Sequence, residues 1–122
     1  VLQIWDVASG TEQLSVPEAL SFAFSEDGNH IAVGANKGDV VLYDAAMKEM
    51  FRAKSEAVFG LTLAFSPDGK SLIGSSDVLV EDSYEGHLLF WNVADGQLAR
   101  TFRAHKGHVT YVAYAPDGRA FA

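Results

Sequence analysis

An all-β fold of repeated four-stranded antiparallel units is predicted for this 122-residue chain by three observations. First, an apolar strand running into an Asp-Gly turn occurs three times: Phe22-Ala23-Phe24-Ser25-Glu26-Asp27-Gly28, Leu63-Ala64-Phe65-Ser66-Pro67-Asp68-Gly69 and Val112-Ala113-Tyr114-Ala115-Pro116-Asp117-Gly118. Second, an apolar strand closing on an aromatic and a polar residue recurs out of phase with the first: Leu2-Gln3-Ile4-Trp5-Asp6, Val40-Val41-Leu42-Tyr43-Asp44 and Leu88-Leu89-Phe90-Trp91-Asn92. Third, no segment carries the 3.6-residue apolar period of an amphipathic helix.

Each unit reads as strands a, b, c and d separated by turn signals. The chain opens on strand c (1–5), turns at Gly10, and continues as strand d (12–16). Strand a then falls at 20–25, 61–66 and 110–115, each followed by Asp-Gly. Glycine tolerates positive φ there, and the aspartate bonds its own backbone. Strand b is predicted at 30–35 and 71–76 and begins at Arg119 in the last unit. The later c strands are 39–43 and 87–91, and the later d strands 48–53 and 97–103. The c–d turn has Gly10 or Gly96 in two units and no glycine in the middle one. Asp27 to Asp68 spans 41 residues and Asp68 to Asp117 spans 49. Asp27 to Tyr43 is 16 residues and Asp68 to Trp91 is 23, so seven extra residues lie within 77–85, a b–c connection.

Strand c is apolar at successive positions, as in Val40-Val41-Leu42-Tyr43 and Leu88-Leu89-Phe90-Trp91, and Leu2, Ile4 and Trp5 follow suit. A sheet with one wet face would alternate instead. Cover on both faces requires sheets stacked on sheets, which a β-propeller of four-stranded antiparallel blades provides. Ala23, Ala64 and Ala113 put small residues on strand a, where blades crowd the axis. The predicted organisation is a half blade (c-d, 1–19), a blade (20–57), a blade with the 77–85 insertion (58–106) and a half blade (a-b, 107–122). About three blade-equivalents do not close a ring of four to eight. Closure is therefore expected from the rest of a longer chain, or from homo-oligomerisation. The opening on Val1 and on a strand points to a start partway through a longer product.

A unit with Ala64-Phe65-Ser66-Pro67-Asp68-Gly69, a small-residue strand and Phe90-Trp91-Asn92, with Gly107-His108-Val109 ahead of the last strand a, resembles the WD40-repeat family. The resemblance covers essentially the whole chain. It implies a propeller that binds protein partners through the face holding the b–c and d–a connections. The family often ties a blade with a hydrogen-bonded set of His, Ser or Thr, Asp and Trp. Here only His108 occupies the Gly-His position, with Glu18 and Phe59 at its equivalents. Ser76, Asp77 and Trp91 offer part of the set in the third unit, whereas the middle unit has Ala35, Asn36 and Tyr43. Blades held mainly by apolar packing are expected.

A net charge of −7, with nine Lys and Arg spread along the chain, argues against a nucleic-acid or anionic-membrane surface. With no cysteine there is no disulfide framework and no thiolate metal site. No apolar run approaches a membrane span and no signal peptide is visible; the compartment stays open. Catalytic residues are not found: Ser25 and Ser66 recur with the repeat as turn residues, and the acid pairs Glu26-Asp27 and Glu81-Asp82 lack an enclosing apolar pocket. No Gly-rich phosphate loop precedes a helix, no cofactor is expected, and His105 and His108 lack a third metal ligand. His30 and His87 stand alone.

The candidate partner-binding residues are Asp77, Glu81, Asp82, Tyr84 and Glu85 in the insertion, with His105 in the following d–a connection. Acids beside an aromatic suit a basic peptide; the plainer alternative is a solvated loop. The leading reading is a non-enzymatic scaffold presenting loops to a protein or peptide. The alternatives are an accessory propeller of a multidomain enzyme and a self-assembling propeller fragment.

Overall fold

The computed structural model describes residues 1–55 and 61–122. Phe59 and the expected blade boundary at 57/58 lie outside the described residues. Among these there are ten strands: β1 (Leu2–Trp5), β2 (Glu12–Val16), β3 (Ala19–Phe24), β4 (His30–Ala35), β5 (Asp39–Asp44), β6 (Glu49–Lys54), β7 (Leu63–Phe65), β8 (Ser71–Val80), β9 (Ser83–Asn92) and β10 (Leu98–Lys106). They form a two-stranded sheet β1-β2 and two four-stranded sheets, β3-β4-β5-β6 and β7-β8-β9-β10. Every pairing is antiparallel between chain neighbours.

The sheets stack face to face, and alternation along the central strands assigns each face a different neighbour. In β4 and β5, Ala32, Val40 and Leu42 point toward the next sheet, where they pack with Leu63, Leu72, Leu89 and Trp91. From the same strands, Ile31, Val33, Val41 and Tyr43 point the other way, against Leu2, Ile4, Leu14 and Val16 of β1-β2. The β7–β10 sheet repeats this. Its second face sets Ile73 and Leu88 against Val109 and Val112 of the closing segment. Leu42, Leu72 and Ile73 are all fully enclosed. Full burial of such a side chain contributes roughly 1.5–3 kcal/mol, so the double cover supplies most of the stabilisation. The architecture is all-β, with antiparallel four-stranded blades and further parts of blades on either side.

The repeated turns are built alike. Ser25 Oγ donates to Asp27 Oδ1 at 2.7 Å and accepts the His30 amide at 2.9 Å. Ser66 Oγ donates to Asp68 Oδ1 at 2.6 Å and accepts the Ser71 amide at 3.0 Å. Gly28 and Gly69 follow with φ of +72° and +70°. These hydroxyl bonds come first among the causes that hold the Asp27 and Asp68 carboxyls below the ordinary carboxylate range. In the middle c–d turn, where no glycine is present, Met47 takes φ of +62° and its amide donates to Asp44 O at 3.0 Å.

Four expectations are corrected. Residues 77–85 are not a loop: β8 and β9 continue through them, pairing Asp77 with Gly86, Leu79 with Tyr84 and Val80 with Ser83. The run Val78-Leu79-Val80 is strand-prone, and pairing satisfies its backbone groups at no cost in cover. In step with it, β10 extends through residues expected as connection, to pair Lys106 with Glu85. Trp5 is not covered: the residue is 54% exposed, because Leu2 and Ile4 take the packed face of β1 and Trp5 alternates to the other. Finally, 110–115 is not a regular strand. It is joined to the chain end by an isolated bridge, Tyr114 to Phe121, with reciprocal Ala113–Ala122 backbone bonds at 2.9 Å. The facing segment, Ala120–Ala122, is too short to carry a ladder.

Candidate functional site

The β8–β9 hairpin carries its own sheet edge outward to a two-residue tip, Glu81-Asp82, with Glu81 at φ of +53°. Both acids are exposed. The two faces of the hairpin below them are occupied by different side chains, since alternate residues of a strand point oppositely.

On one face lie Asp77, Tyr84 and Gly86, and against them the turn Gly107-His108-Val109 folds back. Asp77 is 4% exposed, and both its oxygens are engaged. Oδ1 accepts the Val109 amide at 3.0 Å and Oδ2 lies 2.8 Å from His108 Nδ1. The His108 ring lies 4.7 Å from that of Tyr84, and the Gly107 amide donates to Tyr84 O at 2.7 Å. Gly86 permits this approach: a Cβ there would sit 2.5 Å from Val109 Cγ2. The b–c hairpin and the d–a connection thus form one joined surface, clasped by a carboxylate–imidazole pair. His108 closes on Asp77 of the preceding unit, while Ser76 Oγ and Trp91 stand apart from that link.

On the opposite face lie Val78, Glu85, His87 and Arg103. Glu85 Oε1 is 2.7 Å from Arg103 Nη2, and Glu85 Oε2 is 3.7 Å from His87 Nε2. His105 is exposed on β10, its Nδ1 3.1 Å from Lys106 O.

Of the six residues marked by the sequence, Glu81 and Asp82 therefore stand at the tip, and Tyr84 packs with His108. Asp77 is internal to the clasp, Glu85 is tied to Arg103, and His105, on the outer strand, is the register partner of Gly86 and flanks the clasp, its Cε1 3.5 Å from where a Gly86 Cβ would sit. Arg103 and His87 were not singled out. The signal that could have found His87 is its two-residue spacing from Glu85 on a strand, which sets both on one face.

Chemically the surface is suited to recognition. Among the described residues no group of three or more His, Cys, Asp or Glu side chains converges where a metal ion could sit. The displaced titrations lie elsewhere: Asp6, Asp27 and Asp68 are lowered by turn hydrogen bonds, Tyr43 and Tyr114 are raised by burial, and Arg52 is raised by its hydrogen bond to Glu49. No helix among the described residues is long and apolar enough to cross a membrane.

Comparison with known proteins agrees with this geometry. The profile of the "WD domain, G-beta repeat" family matches residues 96–122, the stretch containing β10, Gly107-His108 and the last Asp-Gly turn. Residues 96–122 thus match a WD40 repeat, and the repeated units of the chain are similar to that family. The chain is 25% identical over 108 residues to human (Homo sapiens) apoptotic protease-activating factor 1, a match covering 81% of the chain and 8% of that protein. It is 40% identical over 60 residues to the intraflagellar transport protein 122 homologs of Danio rerio and Mus musculus, covering 49% of the chain and 4% of each. The chain thus spans less than a tenth of these relatives' length. WD40 domains are generally non-enzymatic and generally bind proteins.

Proposed function

We propose that this chain is a non-enzymatic interaction scaffold whose b–c/d–a surface receives a basic peptide or a basic patch of a protein. The observation that carries the reading is the exposed Glu81-Asp82 tip on a hairpin whose base is clasped by Asp77 and His108. A held tip loses little conformational freedom on binding, so its charge is available for recognition at low entropic cost. Asp77 and Glu85 act in this reading as supports, because their carboxylates already serve Val109, His108 and Arg103.

The test is charge reversal. Glu81→Lys with Asp82→Lys should weaken binding of a Lys/Arg-rich probe peptide by about tenfold at low salt, and the difference should shrink as salt rises. Equal binding by the parent and the double variant would overturn the proposal.

A second reading, in which the chain is an accessory part of a larger multidomain protein, is favoured by the small share of its relatives that it covers. In that reading the remaining blades lie elsewhere in one polypeptide. In a third, copies of this chain close the ring together. A monomeric mass for the well-folded 122-residue chain would exclude the third.

A further inference from the structure

Between β6 and the β8–β10 sheet lies a cleft of about 320 Å³, where the apolar layer that joins the two blades gives way to polar residues. Val78, Leu89 and Leu98 form its apolar part, and Lys54, Ser55, Ser76, His87 and Thr101 its polar part. Ser76 and His87 are direct register partners, so their side chains leave the sheet together on one face. Ser76 is 1% exposed, yet its Oγ has no hydrogen-bond partner. His87 Nε2 is also buried without one; Glu85 Oε2, at 3.7 Å, is beyond hydrogen-bond reach. A buried polar atom left unpaired costs about 1–3 kcal/mol, and here two such atoms line the same cleft.

We propose that this cleft binds a primary carboxamide, the side chain of a Gln or Asn on a partner peptide. The charges around it favour a neutral guest. Lys54 is 3.7 Å from Asp39, and Arg103 is 2.7 Å from Glu85, so each cation already has its counter-ion. A carboxylate or ammonium entering between the sheets would lose hydration and meet no unmatched charge. A carboxamide carries one carbonyl acceptor and an NH₂ donor. Its oxygen takes a bond from His87 Nε2–H, and its nitrogen donates to Ser76 Oγ. The methylenes of the same side chain lie on Leu89 and Leu98. The volume falls in the range of small-molecule sites and holds one side chain with flanking backbone. This site is separate from the hairpin tip, and its occupant need not be basic.

The test is titration of the full chain with N-acetyl-glutamine methylamide, N-acetyl-glutamate methylamide and N-acetyl-methionine methylamide, read by the ¹⁵N shift of His87 Nε2. The glutamine probe should shift the resonance saturably, and the other two should bind at least about tenfold more weakly: the glutamate loses the hydration of its charge without a free counter-ion, and the methionine leaves both buried groups unsatisfied. Ser76→Ala should weaken the glutamine probe alone by about tenfold. His87→Gln, read at the Ser76 amide, should also weaken it. An absent or unsaturable shift, or equal responses to glutamine and methionine, would mean that the cleft holds ordered water only, and the proposal fails. The probe comparison on the parent chain stands even if a variant does not fold.

Discussion

Asp77→Ala is the perturbation with the most to say about how the recognition surface is held. The carboxylate is almost completely enclosed and accepts from the buried Val109 amide at 3.0 Å. Alanine strands that amide, at about 1–3 kcal/mol. The second bond, to His108 Nδ1 at 2.8 Å, involves a ring whose side chain is 51% exposed. That link is screened and returns to water when broken, so its loss adds about 0.5 kcal/mol. The net expectation for Asp77→Ala is a loss of about 2 kcal/mol, a fall of roughly 8 °C in Tm for a chain of this size. Asp77→Asn keeps an oxygen for Val109 and should lose about 1 kcal/mol or less, and His108→Ala about 0.5 kcal/mol. Urea unfolding followed by fluorescence of the buried Trp91 gives the stabilities, and hydrogen exchange reports the Val109 amide directly. Equal losses for Asp77→Ala and His108→Ala, or unchanged protection at Val109, would refute the reasoning.

Three further outcomes follow from the same structure. Gly86→Ala drives a Cβ to 2.5 Å from Val109 Cγ2; it should destabilise by about 1–3 kcal/mol and break the Tyr84–His108 ring contact, seen as lost cross-relaxation between the rings. Leu72→Ala, in the doubly covered layer, should cost about 2–5 kcal/mol, whereas Val80→Ala beside the hairpin tip should stay within about 0.5 kcal/mol; chemical denaturation of both variants checks the contrast. Ser25→Ala removes the hydroxyl bond that leads in holding the Asp27 carboxyl below its ordinary range. The depressed carboxyl stabilises the fold above its unfolded-state pKa, and that share is lost as pH falls through the lower folded value. In the variant the Asp27 ¹³C titration should therefore move up toward the unfolded value; an unmoved midpoint contradicts the assignment.

The stacked-sheet architecture was legible because successive apolar residues in Val40-Val41-Leu42-Tyr43 leave no wet face, and because Asp-Gly returns at matching points of each unit. Trp5 was misjudged for the complementary reason. Leu2-Gln3-Ile4-Trp5 alternates, and only Leu2 and Ile4 take the packed side. The insertion was located but its conformation was not. Its four acids suggest solvent, while Val78-Leu79-Val80 and Tyr84 supply the cross-strand pairs that extend the hairpin. Asp77 looked like one of a surface group. Its burial depends on Val109, 32 residues away in sequence, and no local pattern reports such a contact. The same holds for the unpaired Ser76 and His87, whose common cleft exists only once β6 is laid against the next sheet.

The double cover of the central sheets is tested most directly by methyl–methyl cross-relaxation in a selectively labelled chain. Leu42 should correlate with Leu72 or Leu89 across one interface and Val41 with Leu2 or Leu14 across the other, while Ile73 correlates with Val112 beyond the third sheet. Contacts to a single neighbour from each sheet, as in a two-layer sandwich, would contradict the account.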